Sequence, residues 1–161
     1  MIPGQPGVDI THILDPSCTR ARIATPSRKR ALEAAAEMLA AQDSELSART
    51  IFDELMARER LGSTGLGEGV AIPHCRIPCQ RVYGAFLLLG DPVDYDAADE
   101  QPVDLLFVLM VPPEETTAHL EALASLAGVF GEPENRATLR GCTSDATLFE
   151  TIAGLCSSQA A

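Results

Sequence analysis

Apolar residues recur along this chain with two different periods, and the switches between them mark out its elements. Leu32, Ala35, Ala36 and Leu39 fall at i, i+3, i+4 and i+7 behind Ser27, an N-cap residue, so the pattern predicts a helix over 28–42. Ile51, Phe52, Leu55 and Met56 predict a second helix over 47–60, stopped by Gly62. Residues 18–24 alternate loosely and end before Pro26, as an edge strand would. Residues 81–89 and 103–111 are apolar throughout, which predicts strands buried on both faces, closed by Gly90-Asp91-Pro92 and by Pro112-Pro113. Thr116 or Thr117 caps a helix running to Phe130, with Leu120, Leu123, Ala124 and Ala127 as its expected inner stripe. A short helix over 132–140 follows. Asp145 is the expected cap of a last one that turns Leu148, Phe149, Ile152 and Leu155 inward. Residues 9–14 form a short apolar turn, while 1–7 and 157–161 read as loose ends. Strands alternating with helices define an α/β class. With no repeat and no linker, one domain over 1–161 is expected, its core at about 9–155.

One stretch follows neither period. Residues 62–74 place four glycines in eight positions, and His74 comes directly behind Pro73. Gly65, Gly67 and Gly69 alternate. An extended run would leave one face bare, with Leu66, Val70 and Ile72 packing from the other. Pro73 would end the pairing and deliver His74 at the exit of a rigid strand. Backbone N–H groups of a glycine-rich turn form anion-binding nests, and the hydroxyls of Ser63 and Thr64 add donors. A histidine beside such a nest is a candidate phosphoryl acceptor, because imidazole is largely neutral and nucleophilic at pH 7. His12 lacks neighbouring ligands and reads as structural or solvent-facing.

Composition narrows the partners. The chain has 161 residues, of which 12 are basic and 23 acidic, a net charge of −11. That balance excludes nonspecific nucleic-acid binding, which needs a basic face, and disfavours anionic membranes. No apolar run is long enough to span a bilayer, so no stable membrane insertion is expected. Carboxylates gather over 91–104 (Asp91, Asp94, Asp96, Asp99, Glu100, Asp104) as a solvated loop or a docking surface for a basic partner. Arg28, Lys29 and Arg30 crowd the first turn of a helix against its dipole, with no local reason in the sequence. Five cysteines, irregularly spaced behind an N-terminus that does not resemble a signal peptide, indicate reduced thiols and a cytoplasmic protein.

Rival chemistries fail on the pattern. A phosphate-binding P-loop needs G-x-x-x-x-G-K-[ST], and here the glycines lead into a strand rather than a helix; the dinucleotide fingerprint fails on the same point. His74, Cys75 and Cys79 have the wrong spacing for zinc and lack a fourth ligand, so no metal is expected. Ser63 lies in no nucleophile elbow, which removes a Ser63–His74 hydrolase.

The run over 58–74, RERLGSTGLGEGVAIPH, resembles the active-site segment of IIA domains of the bacterial phosphoenolpyruvate-dependent phosphotransferase system, of the mannitol/fructose type. Cys18-Thr19-Arg20, Lys29-Arg30-Ala31-Leu32-Glu33 and Gln101-Pro102-Val103-Asp104-Leu105-Leu106-Phe107 resemble its nitrogen-regulatory branch, and the likeness runs from about Asp9 to Ile152. The resemblance implies a three-layer α/β/α sandwich around a small mixed sheet. It implies that His74 takes a phosphoryl group on Nε2 from an HPr-like phosphohistidine protein. Arg58 would stabilise that group, as a forked guanidinium suits. His119, in a Thr-x-x-His-Leu segment formed by Thr116, His119 and Leu120, would face it. Ser63, Thr64 and the Gly65 backbone would orient phosphate oxygens. No cofactor is implied. The partners implied are the donor and regulatory targets of the transporter or sensor-kinase type. A sugar-specific component that passes phosphate to a IIB domain, and a binding module that is never phosphorylated, are the alternatives. Two departures stand out. Glu68 occupies a place where the branch often has Asn, and Cys75 one where Gly is common, which could alter partner choice or make the site redox-sensitive.

Overall fold

The computed structural model describes residues 9–115 and 117–158; the expectations for 1–7, Thr116 and 159–161 fall outside them. Its centre is a pair of strands, β5 (Tyr83–Val93) and β6 (Val103–Val111), joined antiparallel. Apart from the half-buried Asp104, β6 is buried along its whole length, as the apolar run over 105–111 requires. β1 (Leu14–Ile23) runs parallel to β5 at the edge of the sheet, longer than the 18–24 expected but in the expected place. On the other side of β6 lie β2 (Gly65–Gly67), β3 (Val70–Ala71) and β4 (His74–Arg76). The result is an open, mixed, six-stranded sheet.

Among the described residues five helices flank it. α1 (Arg28–Ala40) and α2 (Ala48–Arg60) pack on each other, with α1 against β5 and α2 against β4. α3 (Thr117–Phe130), α4 (Pro133–Arg140) and α5 (Asp145–Ser158) form the second helical group, α5 lying against β1. Phe130 of α3 meets Phe86 of β5 at 6.0 Å between ring centroids, and Phe86 meets Phe107 of β6 at 5.4 Å. These offset aromatic contacts join the second helical group to the middle of the sheet. The architecture is the three-layer sandwich with a mixed sheet.

Caps explain most helix boundaries. Ser27 accepts from Arg30 N and Ser47 from Thr50 N, so α1 and α2 begin where N-cap chemistry places them. The cap of α5 is Ser144, which accepts from Thr147 N at 3.1 Å. Asp145, expected in that role, instead accepts from Ala21 N of β1 at 2.7 Å and ties helix to sheet. The expected stripe of α3 is also corrected. Ala122, Leu126, Val129 and Phe130 face the core, while Leu120 is 63% exposed and Ala124 and Ala127 lie outside. A helix apolar on nearly every side has no unique inner face in its periodicity.

The largest correction is the glycine stretch, which is a hairpin and not one extended strand. Gly65 pairs with Ala71 and Gly67 with Val70 across a turn at Glu68-Gly69, whose φ values are +58° and +80°. Left-handed geometry at both central residues is the demand of a type I′ turn. Glycine is required at 69, where an added Cβ would lie 2.4 Å from the Arg140 guanidinium. That guanidinium clamps the turn, donating to Asp104 at 3.1 Å and to the Glu68 carbonyl at 2.7 Å. Asp99 accepts Glu68 N at 2.9 Å from the other side. Two carboxylates of the acidic 91–104 segment are thereby bonded internally, bracing the hairpin.

Candidate functional site: a histidine pair at the end of the sheet

After the hairpin the chain runs up the flank of β6 in two steps. β3 pairs in parallel with Leu105 and Leu106, Pro73 interrupts, and β4 resumes against Leu109, Met110 and Val111. The Pro73 carbonyl still accepts Leu109 N at 2.9 Å, so the interruption costs the sheet little. His74 therefore opens a paired strand, where the sequence had placed it beyond the last pairing. The alternation of β4 sends Cys75 into the core, with His74 half-buried and Arg76 exposed on the opposite face.

The imidazole of His74 has a fixed sense. Its Nδ1 lies 2.9 Å from the Ile72 carbonyl. A carbonyl oxygen only accepts, so Nδ1 carries the hydrogen and Nε2 keeps its lone pair. The ring of His119, from the first turn of α3, stands 5.4 Å away between centroids at 59°. His119 is 7% exposed, and its Nδ1 has no hydrogen-bond partner among the described residues. Burial pushes its pKa below the ordinary 6.5, helped by the charges of His74 and Arg76. It is a neutral ring at neutral pH. An unsatisfied buried nitrogen is costly and is tolerated mainly at working sites.

Arg58 lies in the last turn of α2, the helix packed on β4, and donates to the Gly62 carbonyl at 2.8 Å. This is one of five guanidinium donors, and it holds the turn into the loop. The loop hydroxyls are not free donors. Ser63 Oγ donates to the Tyr95 carbonyl at 3.0 Å and accepts Gly65 N at 3.1 Å. Thr64 gives both its N–H, at 3.1 Å, and its hydroxyl to the carboxylate of Glu59. Gly65 is small because Ala97 sits against it, 2.9 Å from an added Cβ. Ser63, Thr64 and Gly65 are thus engaged in bonds and packing that hold the loop together. The structure brings together His74 and His119, while Arg58 holds the turn from α2 into the glycine loop.

Arg76 was missed by sequence reasoning. Its Nη1 donates to the carbonyls of Pro113 at 3.0 Å, Glu115 at 3.3 Å and Pro112 at 3.4 Å. It thus ties β4 to the segment that leads into α3, the helix carrying His119. Its position two residues after His74 was the available signal, since a strand places i and i+2 on one face. Burial pushes the thiols of Cys75 and Cys79 up to about 12 and about 11, far from the thiolate that oxidation requires.

Fold and site define an α/β sandwich protein with paired imidazoles, one presented by the sheet and one by a flanking helix. A sequence profile of the family "Phosphoenolpyruvate-dependent sugar phosphotransferase system, EIIA 2" matches residues 12–154. The nitrogen regulatory protein of Pseudomonas aeruginosa is 43% identical over 146 residues, spanning 90% of this chain and 95% of its own. That of Escherichia coli (strain K12) is 40% identical over 147 residues, 90% of each. The crystal structure of nitrogen regulatory protein IIA-Ntr from Neisseria meningitidis matches with a TM-score of 0.84 at 40% identity, over 91% of this chain and 98% of that one. The chain belongs to the phosphotransferase-system EIIA type-2 family, in its nitrogen regulatory branch. No described helix is long and apolar enough to cross a membrane.

Proposed function

We propose that this protein is a phosphohistidine carrier of the nitrogen branch, acting as one cytoplasmic domain. An HPr-like protein bearing phosphohistidine docks at the histidine pair. The lone pair of His74 Nε2 attacks phosphorus in line. The donor's N–P bond breaks, its electron pair stays on the donor ring, and a new N–P bond forms on His74. Such a transfer asks for position and charge stabilisation more than for covalent help. Arg58 offsets the charge of the bound group from the base of the loop. His119, neutral and adjacent, binds its oxygens through a ring N–H.

The observation that carries the reading is the bond from His74 Nδ1 to the Ile72 carbonyl, which in the neutral ring puts the hydrogen on Nδ1 and the lone pair on Nε2. A protein partner fits the surface. The large apolar side chains exposed among the described residues are Leu61, Leu66 and Leu120. In sequence Leu61 follows Arg58 by three positions, Leu66 follows Gly65 and Leu120 follows His119. The phosphorylation state then selects the regulatory target, in keeping with the branch to which the chain belongs.

The test is intact-mass measurement after incubation with phosphoenolpyruvate, the system's first enzyme and an HPr-like carrier. One acid-labile phosphoryl group is expected on the native chain and none on His74→Ala. No transfer from a donor that loads a proven acceptor overturns the reading. Sugar phosphate formed with a fructose- or mannitol-type IIB and permease overturns the regulatory assignment alone.

A further inference from the structure

Glu59 follows Arg58 in the last turn of α2, and its side chain has no solvent exposure. A buried carboxylate at the negative end of a helix dipole is unfavourable unless its surroundings answer it. They do so chiefly through Thr64 and Arg28. Thr64 N donates to Oε1 at 3.1 Å, and the Thr64 hydroxyl donates to Oε2. Arg28 of α1 lies 3.9 Å away, which gives the basic first turn of α1 the reason its sequence lacked. Because a carboxylate only accepts, the single Thr64 hydroxyl hydrogen points at Glu59. Tyr95 Oη lies 3.3 Å from Thr64 Oγ1 and closes the group.

The chain of bonds continues toward the site. The Thr64 carbonyl accepts Ile72 N at 3.2 Å, across the hairpin. The Ile72 carbonyl accepts His74 Nδ1 at 2.9 Å. Each link has one permitted direction. We infer that Glu59 is the positioning residue of the site, its buried carboxylate fixing Thr64 and, through Thr64 and Ile72, the tautomer of His74. Without it Thr64 loses the acceptor of its N–H and the stronger partner of its hydroxyl, and the strand behind the Ile72 carbonyl is held less firmly. The imidazole then samples the tautomer with hydrogen on Nε2, which cannot attack. The kinetic consequence rests on the phosphocarrier reading; the consequence for the tautomer rests on the geometry alone.

The experiment uses the full chain with ¹⁵N-labelled histidine. Long-range ¹H–¹⁵N spectra report the His74 ring nitrogens, single-turnover transfer from phosphorylated HPr-like donor reports the rate, and thermal melting reports the fold. The native protein is expected to show a protonated Nδ1 and an unprotonated Nε2. Glu59→Ala should average the two nitrogens and slow transfer by about tenfold or more, the scale of a small misplacement at a reacting centre. Glu59→Gln keeps an acceptor for Thr64 N and should restore most of both. A folded Glu59→Ala protein with the native ring pattern overturns the inference, whatever happens to its rate or melting. Should that variant not fold, Thr64→Val takes its place, with averaging expected and an unchanged pattern again overturning the inference. If the native protein takes no phosphoryl group, the phosphocarrier reading fails, and the ring spectra still decide the role of Glu59.

Discussion

His74 and His119 stand 5.4 Å apart and are held by opposite kinds of force. His74 is fixed by a directed bond to a backbone that is itself paired into the sheet. His119 is fixed by burial in the first turn of a helix, with one ring nitrogen left without a partner. A nucleophile needs a single orientation and tautomer, which only directional bonds supply. A supporting group needs to be neutral, close and free to bond an arriving oxygen, which an apolar setting supplies.

The largest way to break this contrast is at the rings. His74→Ala should abolish phosphoryl incorporation in the mass assay. His119→Asn should leave the acceptor intact but lower the single-turnover rate by about a hundredfold, the usual loss for one donor that stabilises transition-state charge. Equal loss in both variants would remove the division of labour.

A smaller effect tests the electrostatics of the supporting ring. Arg76→Gln removes a positive charge that helps depress the His119 pKa, so His119 should titrate higher by NMR. It also unties the segment leading into α3, so transfer should slow by a few-fold. A phosphoryl group on His74 should raise the His119 pKa in the native protein, because the new neighbour is an anion.

The pH dependence of stability has a definite sign. The His119 pKa is depressed in the fold, so between its folded value and 6.5 the unfolded chain binds more protons. The contribution is fully present above 6.5 and is lost as pH falls through the folded value. The melting temperature should drop over that range, and the drop should be shallower in His119→Asn. The smallest change serves as a control away from the pair. Glu68 sits at φ +58°, a conformation that suits Asn far better. Glu68→Asn should stabilise the protein by about 0.5–1 kcal/mol by chemical denaturation, with transfer unchanged.

Much of this could be read before any coordinates. Ser27 announces its helix, β6 lies where its apolar run does, and His74 stands out behind the glycine stretch, while the interest of Arg58 and His119 comes through the family resemblance. What failed did so for identifiable reasons. Alternating glycines fit a strand as well as a turn, and glutamate at 68 gives no hint of left-handed backbone. The apolar surface of α3 hides which side is inner. The hydroxyls of Ser63 and Thr64 read as free because their partners, Tyr95 and Glu59, reach them only through the fold. Nothing in the sequence marks Glu59, whose burial depends on α1 and on the loop folding over it.

The interrupted strand alongside β6 has a further consequence. On the phosphocarrier reading, the acceptor ring stands on a strand paired to the centre of the sheet on one side and covered by α2 on the other. A covalent mark written there has little give beneath it, so it alters the surface by its own bulk and negative charge. Such a mark works like a stamp on a hard plate: whichever partner reads it must read the ink, because the plate does not bend.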